Sequence, residues 1–136
     1  MMPSTYRPHT RHSPLTQPWE PLFSQVVSGV IQLAVEIREP HCNSRGFAHG
    51  GMITSLADNA MGLSATRQSR EITGSTTSSA VTVSLSVDFI DVARIGDILE
   101  IIPCVLKVGR TLAFVDCRIM TADRLIARGN ATFRLV

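Results

Sequence analysis

Residues 81–89 carry the cleanest alternation in the chain. Val81, Val83, Leu85, Val87 and Phe89 alternate with Thr82, Ser84, Ser86 and Asp88, the two-residue period of a half-buried strand. Leu33, Val35 and Ile37 alternate with Gln32, Ala34, Glu36 and Arg38 in the same way. This predicts a first strand over Val26–Arg38, ended by Pro40. Further strands are predicted over Ile98–Val108, Thr111–Ala122 and Leu125–Val136. They are separated by turns at Gly96-Asp97, Gly109-Arg110 and Asp123-Arg124. Pro103 implies a bulge or an edge position in its strand.

One stretch follows a different period. Met52, Ile53, Leu56, Ala57, Ala60, Met61, Leu63 and Ala65 recur three and four residues apart, predicting a helix over about Gly50–Gln68 that is buried around most of its circumference. It is too short and too polar to span a membrane. A narrow stripe of Gly51, Thr54, Ser55, Asp58 and Gly62 occupies one face. The resulting order is strand, long helix, four strands. Short links make consecutive strands antiparallel neighbours, and the helix needs a large apolar surface to cover it. The pattern therefore predicts an α+β fold with one helix on an antiparallel sheet.

The 136 residues suffice for one domain with a real core, and a hydrophobic content of 44% sets the chain apart from disordered ones. A net charge of +2 is too small to argue for a nucleic-acid partner. Five of the seven prolines, and no acid before Glu20, fall in residues 1–21. This predicts a Pro-rich, partly ordered arm ahead of a single domain over 22–136, with Trp19, Leu22 and Phe23 available to pin it. The arm has no apolar core of a secretory signal. Cys42, Cys104 and Cys117 form no C-x-x-C pair, which fits a reducing, cytoplasmic setting and argues against a zinc site; the four histidines suggest no metal either.

The candidate chemistry lies on the helix. From Gly46 to Thr66 the only formal charge near neutral pH is Asp58. A lone carboxylate on a buried helix is costly unless paired, hydrogen-bonded or protonated. It is either a structural acid bonded to a neighbouring loop or a functional group. His49-Gly50-Gly51 opens the helix, where unpaired amide N–H groups and the dipole favour an oxygen gaining negative charge; the same residues could form an ordinary capped turn. Gly51 and Asp58 are seven residues apart, roughly 10 Å along the axis. One helix does not easily bring both to one carbonyl, whereas a two-fold dimer with antiparallel helices would.

Asn43, Gly46, His49-Gly50-Gly51 and Asp58 resemble the N-x-x-G-x-x-H-G-G pattern of hotdog-fold acyl-CoA thioesterases, in the subgroup of the phenylacetate-degradation thioesterases and thioesterase superfamily member 2. The resemblance covers about Trp19 to the C-terminus. It implies a hotdog fold, with the sheet wrapped around the helix, and a homodimer with shared sites, commonly paired into a tetramer. It also implies hydrolysis of an aromatic or medium-chain acyl-CoA, with no cofactor beyond the CoA thioester substrate. In this family Asp58 corresponds to the nucleophile or general base, Asn43 to the side chain positioning water or thioester, and Gly50 to the amide polarising the carbonyl. His49 holds the thioester region or merely caps the helix. Thr82 bonds near the catalytic water or is an ordinary strand threonine. Gly51, Val83, Arg94, Arg110 and Thr111 are the candidates for holding the thioester and the CoA polyanion. Lys107 and Arg128 are further cations. A non-catalytic acyl-CoA-binding module on the same fold is the alternative.

Overall fold

The computed structural model describes all of residues 1–136. Seven strands form one antiparallel sheet around one helix. They are β1 (Arg7–Pro8), β2 (Phe23–Val27), β3 (Val30–Glu36), β4 (Ala80–Phe89), β5 (Ile98–Val108), β6 (Leu112–Thr121) and β7 (Arg124–Leu135). Helix α1 (Gly50–Thr73) separates β3 from β4, and the strand order is β1-β2-β3-β5-β6-β7-β4. The helix packs against β3, β4, β5, β6 and β7, which is the wrapped arrangement of the hotdog fold.

The mixed spacing of apolar residues on α1 is explained by this wrapping. Met52, Ile53, Leu56, Ala57, Ala60, Met61 and Ala65 are all buried, against Leu33, Val35, Leu99, Ile101, Val115, Ile119 and Phe133 of the sheet. Truncating a fully buried residue such as Leu56 to Ala would cost about 2–5 kcal/mol. Small residues let the sheet approach closely: a Cβ on Gly62 would stand 3.3 Å from the Phe133 ring. The helix runs to Thr73, beyond the expected Gln68, because Ile72 and Thr73 continue it into Gly74. This glycine adopts φ +73° and donates its N–H to the Arg70 carbonyl, a left-handed cap that favours glycine.

Three local differences from the sequence pattern have simple causes. The expected first strand is a hairpin, β2 and β3, because Ser28 (φ +50°) and Gly29 (φ +80°) make a tight turn inside it. Pro103 lies on an inner strand with no bulge at its own position. Pairing of β3 with β5 stops at Ile101, so that side of Pro103 is open, and the register shift falls later, between Val105 and Lys107. Consecutive β4 and β5 are not neighbours: residues 90–97 carry the chain along one end of the sheet. There the Ile90 and Asp91 amides bond the Ile126 carbonyl, and Ala93 accepts from the Ala48 N–H beside the helix start.

Parts of the first 21 residues are held against the domain, while most of their side chains are exposed. Tyr6 is 5% exposed, its hydroxyl donates to Glu100 at 2.9 Å, and β1 pairs with β2. Burial, reinforced by the Glu100 hydrogen bond, raises the Tyr6 phenol well above its ordinary pKa. His41, fully buried, ties the arm to the domain. Its Nδ1 accepts from the Arg38 N–H at 2.9 Å, so the neutral ring donates Nε2–H to the Trp19 carbonyl at 2.9 Å. Burial lowers its pKa, partly opposed by the Trp19 bond. No helix is long and apolar enough to cross a membrane.

Candidate active site

The candidate residues fall into two groups along α1. The first surrounds the helix start. A bridge between Cys42 and Ala48 closes a loop, and Asn43 folds its interior: Oδ1 accepts from the Arg45 N–H at 2.9 Å and the Phe47 N–H at 3.2 Å. The carbonyl end of Asn43 is thus committed to the backbone, while its Nδ2 donates to no group of the chain. His49 is the N-cap, and its Nδ1 accepts from the Gly51 N–H at 2.8 Å. A Cβ on Gly51 would stand 3.0 Å from that nitrogen, so glycine is what allows the cap to close. Capping removes Gly51 from the two amides expected to be open for an oxyanion. Gly50 N–H has no partner in the chain; it lies beside the Phe89 ring, which a Cβ would meet at 3.1 Å.

Arg94 belongs to this group. It forms a bridge with Phe47, and its guanidinium lies over the Phe47 ring, 5.1 Å from the centroid, a cation–π contact that leaves its N–H groups free. Burial and, secondarily, Glu39 raise the pKa of the Cys42 thiol beside the loop, which disfavours the thiolate.

The second group lies about two turns further along. Asp58 is half-buried and unpaired with any cation. The Thr82 hydroxyl donates to its Oδ1 at 2.7 Å, and both line a cavity of about 150 Å³ with Gly62, Leu63 and Phe133. Asp58 Oδ2 has no partner within the chain.

The position of Thr82 depends on a bulge that the alternation conceals. The β4–β7 register slips between Thr82 and Ser84, leaving Val83 as the extra residue, 61% exposed. Before the slip Ala80 and Thr82 face the helix; after it Leu85 and Val87 do. Without the bulge a strict two-residue period would put Thr82 on the face opposite Leu85.

The two groups do not meet within one chain. Gly50 and Asp58 are eight residues apart, roughly 12 Å along the axis, and none of Asn43, His49, Gly50 and Gly51 lines the Asp58 cavity. Arg110 and Thr111 form the β5–β6 hairpin, where the Thr111 carbonyl accepts from Leu135 N–H. That is the end of the sheet opposite Arg94, whose neighbour Asp97 contacts Arg124 near the β6–β7 turn. The sequence reading also missed Arg11, which lines the Asp58 cavity; its only signal is the concentration of cations in an arm with no acid before Glu20.

A sheet closed over a helix that carries an unpaired, hydroxyl-bound carboxylate places the molecule among hotdog hydrolases in form. The chain belongs to the thioesterase superfamily, which matches residues 45–127. It is 38% identical, over 98% of this chain and 97% of the other, to a Pseudomonas aeruginosa protein named as an esterase. Human acyl-coenzyme A thioesterase 13 is 31% identical over 79% of this chain and 74% of its own length. The crystal structure of zebrafish thioesterase superfamily member 2 superposes with a TM-score of 0.75, at 28% identity, covering 85% of this chain and 81% of that one.

Proposed function

We propose that the protein is an acyl-CoA thioesterase of the cytoplasm, hydrolysing an aromatic or medium-chain acyl-CoA to the free acid and CoA. The observation that carries this reading is the Thr82 hydroxyl 2.7 Å from an otherwise unpaired Asp58 in a cavity. One carboxylate oxygen is oriented by that bond, and the other is free to act. Asp58 either attacks the thioester carbonyl directly, forming an anhydride that water opens, or removes a proton from the attacking water. Both routes return an acid and a CoA thiol.

The carbonyl oxygen becomes an oxyanion and needs a donor. Gly50 N–H at the helix start is that donor, worth about 3 kcal/mol, with Asn43 Nδ2, which has no partner in the chain, holding the water or thioester. The roughly 12 Å between Gly50 and Asp58 in one chain requires the donor to come from a second chain. A two-fold dimer with antiparallel helices supplies it. The long open edge of β4, with Val81, Val83 and Phe89 exposed, supports pairing there, and such dimers could pair again into a tetramer. The same two-fold axis would bring the Arg94 end of one chain near the Arg110 end of the other, so that both cations could serve one CoA. The names of the thioesterase relatives support the CoA ester as substrate.

The test is CoA release from acyl-CoA esters, followed with a thiol reagent. Asp58→Asn should lower kcat by roughly 10³-fold with an unchanged melting temperature. Retained turnover would remove Asp58 from the chemistry. Single turnover in labelled water distinguishes the two routes, because direct attack leaves the label in Asp58 after hydrolysis of the anhydride at that carboxyl.

A further inference from the structure

Beyond the Asp58 cavity lies a larger one, of about 640 Å³, between the N-terminal arm, β2, β3 and the second half of α1. The two are neighbours: Arg11, Leu63 and Thr66 line both. Val26, Ile31 and Leu63, with the stems of the polar residues around them, give the wall apolar surface, which suits the carbon chain of an acyl group. Its charges are three guanidiniums, Arg11, Arg67 and Arg70, against one carboxylate, Glu71. Arg67 is paired with Glu71 at 3.5 Å, and Arg70 spends its Nε on the Ser78 carbonyl at 2.9 Å. Arg11 has no hydrogen-bond or ion-pair partner in the chain. His9, also in the wall, bonds Ser24 through Nδ1 at 3.0 Å, while its buried Nε2 has no partner.

Resting on the thioesterase reading above, we propose that the acyl group runs from Asp58 along α1 into this space, and that its far end carries a carboxylate bound by Arg11. The substrate class is then the mono-CoA ester of a dicarboxylic acid. A planar guanidinium free of internal partners suits a carboxylate, which it can grip with two parallel hydrogen bonds. The CoA phosphates are anions too, but the long pantetheine arm holds them far from the thioester. Arg11 shares a cavity of about 150 Å³ with the reacting carboxylate, so the far end of a short acyl chain whose carbonyl lies at Asp58 can reach it.

The experiment compares adipyl-CoA with hexanoyl-CoA, esters of equal carbon number that differ in the terminal carboxylate, on wild-type protein and Arg11→Gln. Wild type should prefer adipyl-CoA in kcat/KM. The substitution should lower kcat/KM at least tenfold more for adipyl-CoA than for hexanoyl-CoA, and Arg11→Lys should restore part of the difference. Equal losses on both esters would assign Arg11 to the CoA phosphates and overturn the proposal, as would a wild-type preference for hexanoyl-CoA. Titration of each ester into Asp58→Asn protein, with and without Arg11→Gln, separates the two readings. Arg11-dependent binding of adipyl-CoA without hydrolysis by wild type would sink the thioesterase reading and leave this one standing. Equal binding of the two esters would sink this one alone.

Discussion

The two edges of the sheet are built differently. One edge is β1, two residues long, Pro8 among them, with the arm held to the domain through buried Tyr6 and through the bond of Trp19 to the buried His41. Short strands and proline blunt an edge against unwanted pairing. The other edge is β4, ten residues long, with Val81, Val83 and Phe89 exposed and no residue of this chain pairing its outer side. A long, open, apolar edge is an aggregation hazard unless a partner covers it. It is also the edge whose Thr82 touches Asp58. The comparison teaches that one edge has been closed for stability, while the other is exposed beside the candidate chemistry, as the proposed shared-site dimer requires.

Of changes at the two edges, the largest effect should come from spoiling the open one. Val81→Lys combined with Val83→Lys places charge where the proposed partner strand pairs. Sedimentation should show monomer, and kcat/KM should fall roughly 10²–10³-fold, the cost of losing one oxyanion donor. A monomer of undiminished activity would end the shared-site idea. At the closed edge the effect should be on stability alone. His41→Ala leaves the Trp19 carbonyl and the Arg38 N–H without their partner, costing about 2–4 kcal/mol, while kcat at 25 °C stays within twofold. Chemical denaturation and turnover of the same sample check both halves.

The closed edge should also be the pH-sensitive one. Burial lowers the pKa of His41 and of His9, so the folded chain prefers both rings neutral, and the unfolded chain binds protons more readily. Their contribution to stability is therefore complete above about pH 6.5 and is lost as pH falls below it. Melting temperature measured between pH 8 and 5 should decline only in the lower part, and His41→Gln should flatten that decline. The smallest expected effect is at Thr82. Thr82→Val removes one hydrogen bond to a carboxylate and should lower kcat about tenfold, whereas Thr82→Ser should retain most of it; equal rates for all three would make Thr82 a bystander.

Much of this was legible in one dimension. Apolar spacing from Met52 to Ala65 dictates a helix that must be enclosed, and solitary Asp58 within it marks the candidate chemistry, because both follow from local periodicity and the cost of burying charge. His49-Gly50-Gly51 likewise reads as a helix start, since capping is a contact between residues two apart. Other features arise only when distant segments meet. Val83 bulges because β4 must match β7, and no property of Val83 announces the slip that turns Thr82 toward Asp58. Arg11 reaches the Asp58 cavity, and His41 locks the arm, through contacts between segments far apart in the chain. Periodicity records which side of each element is buried; what that side faces is decided by the other elements, and only folding brings them together.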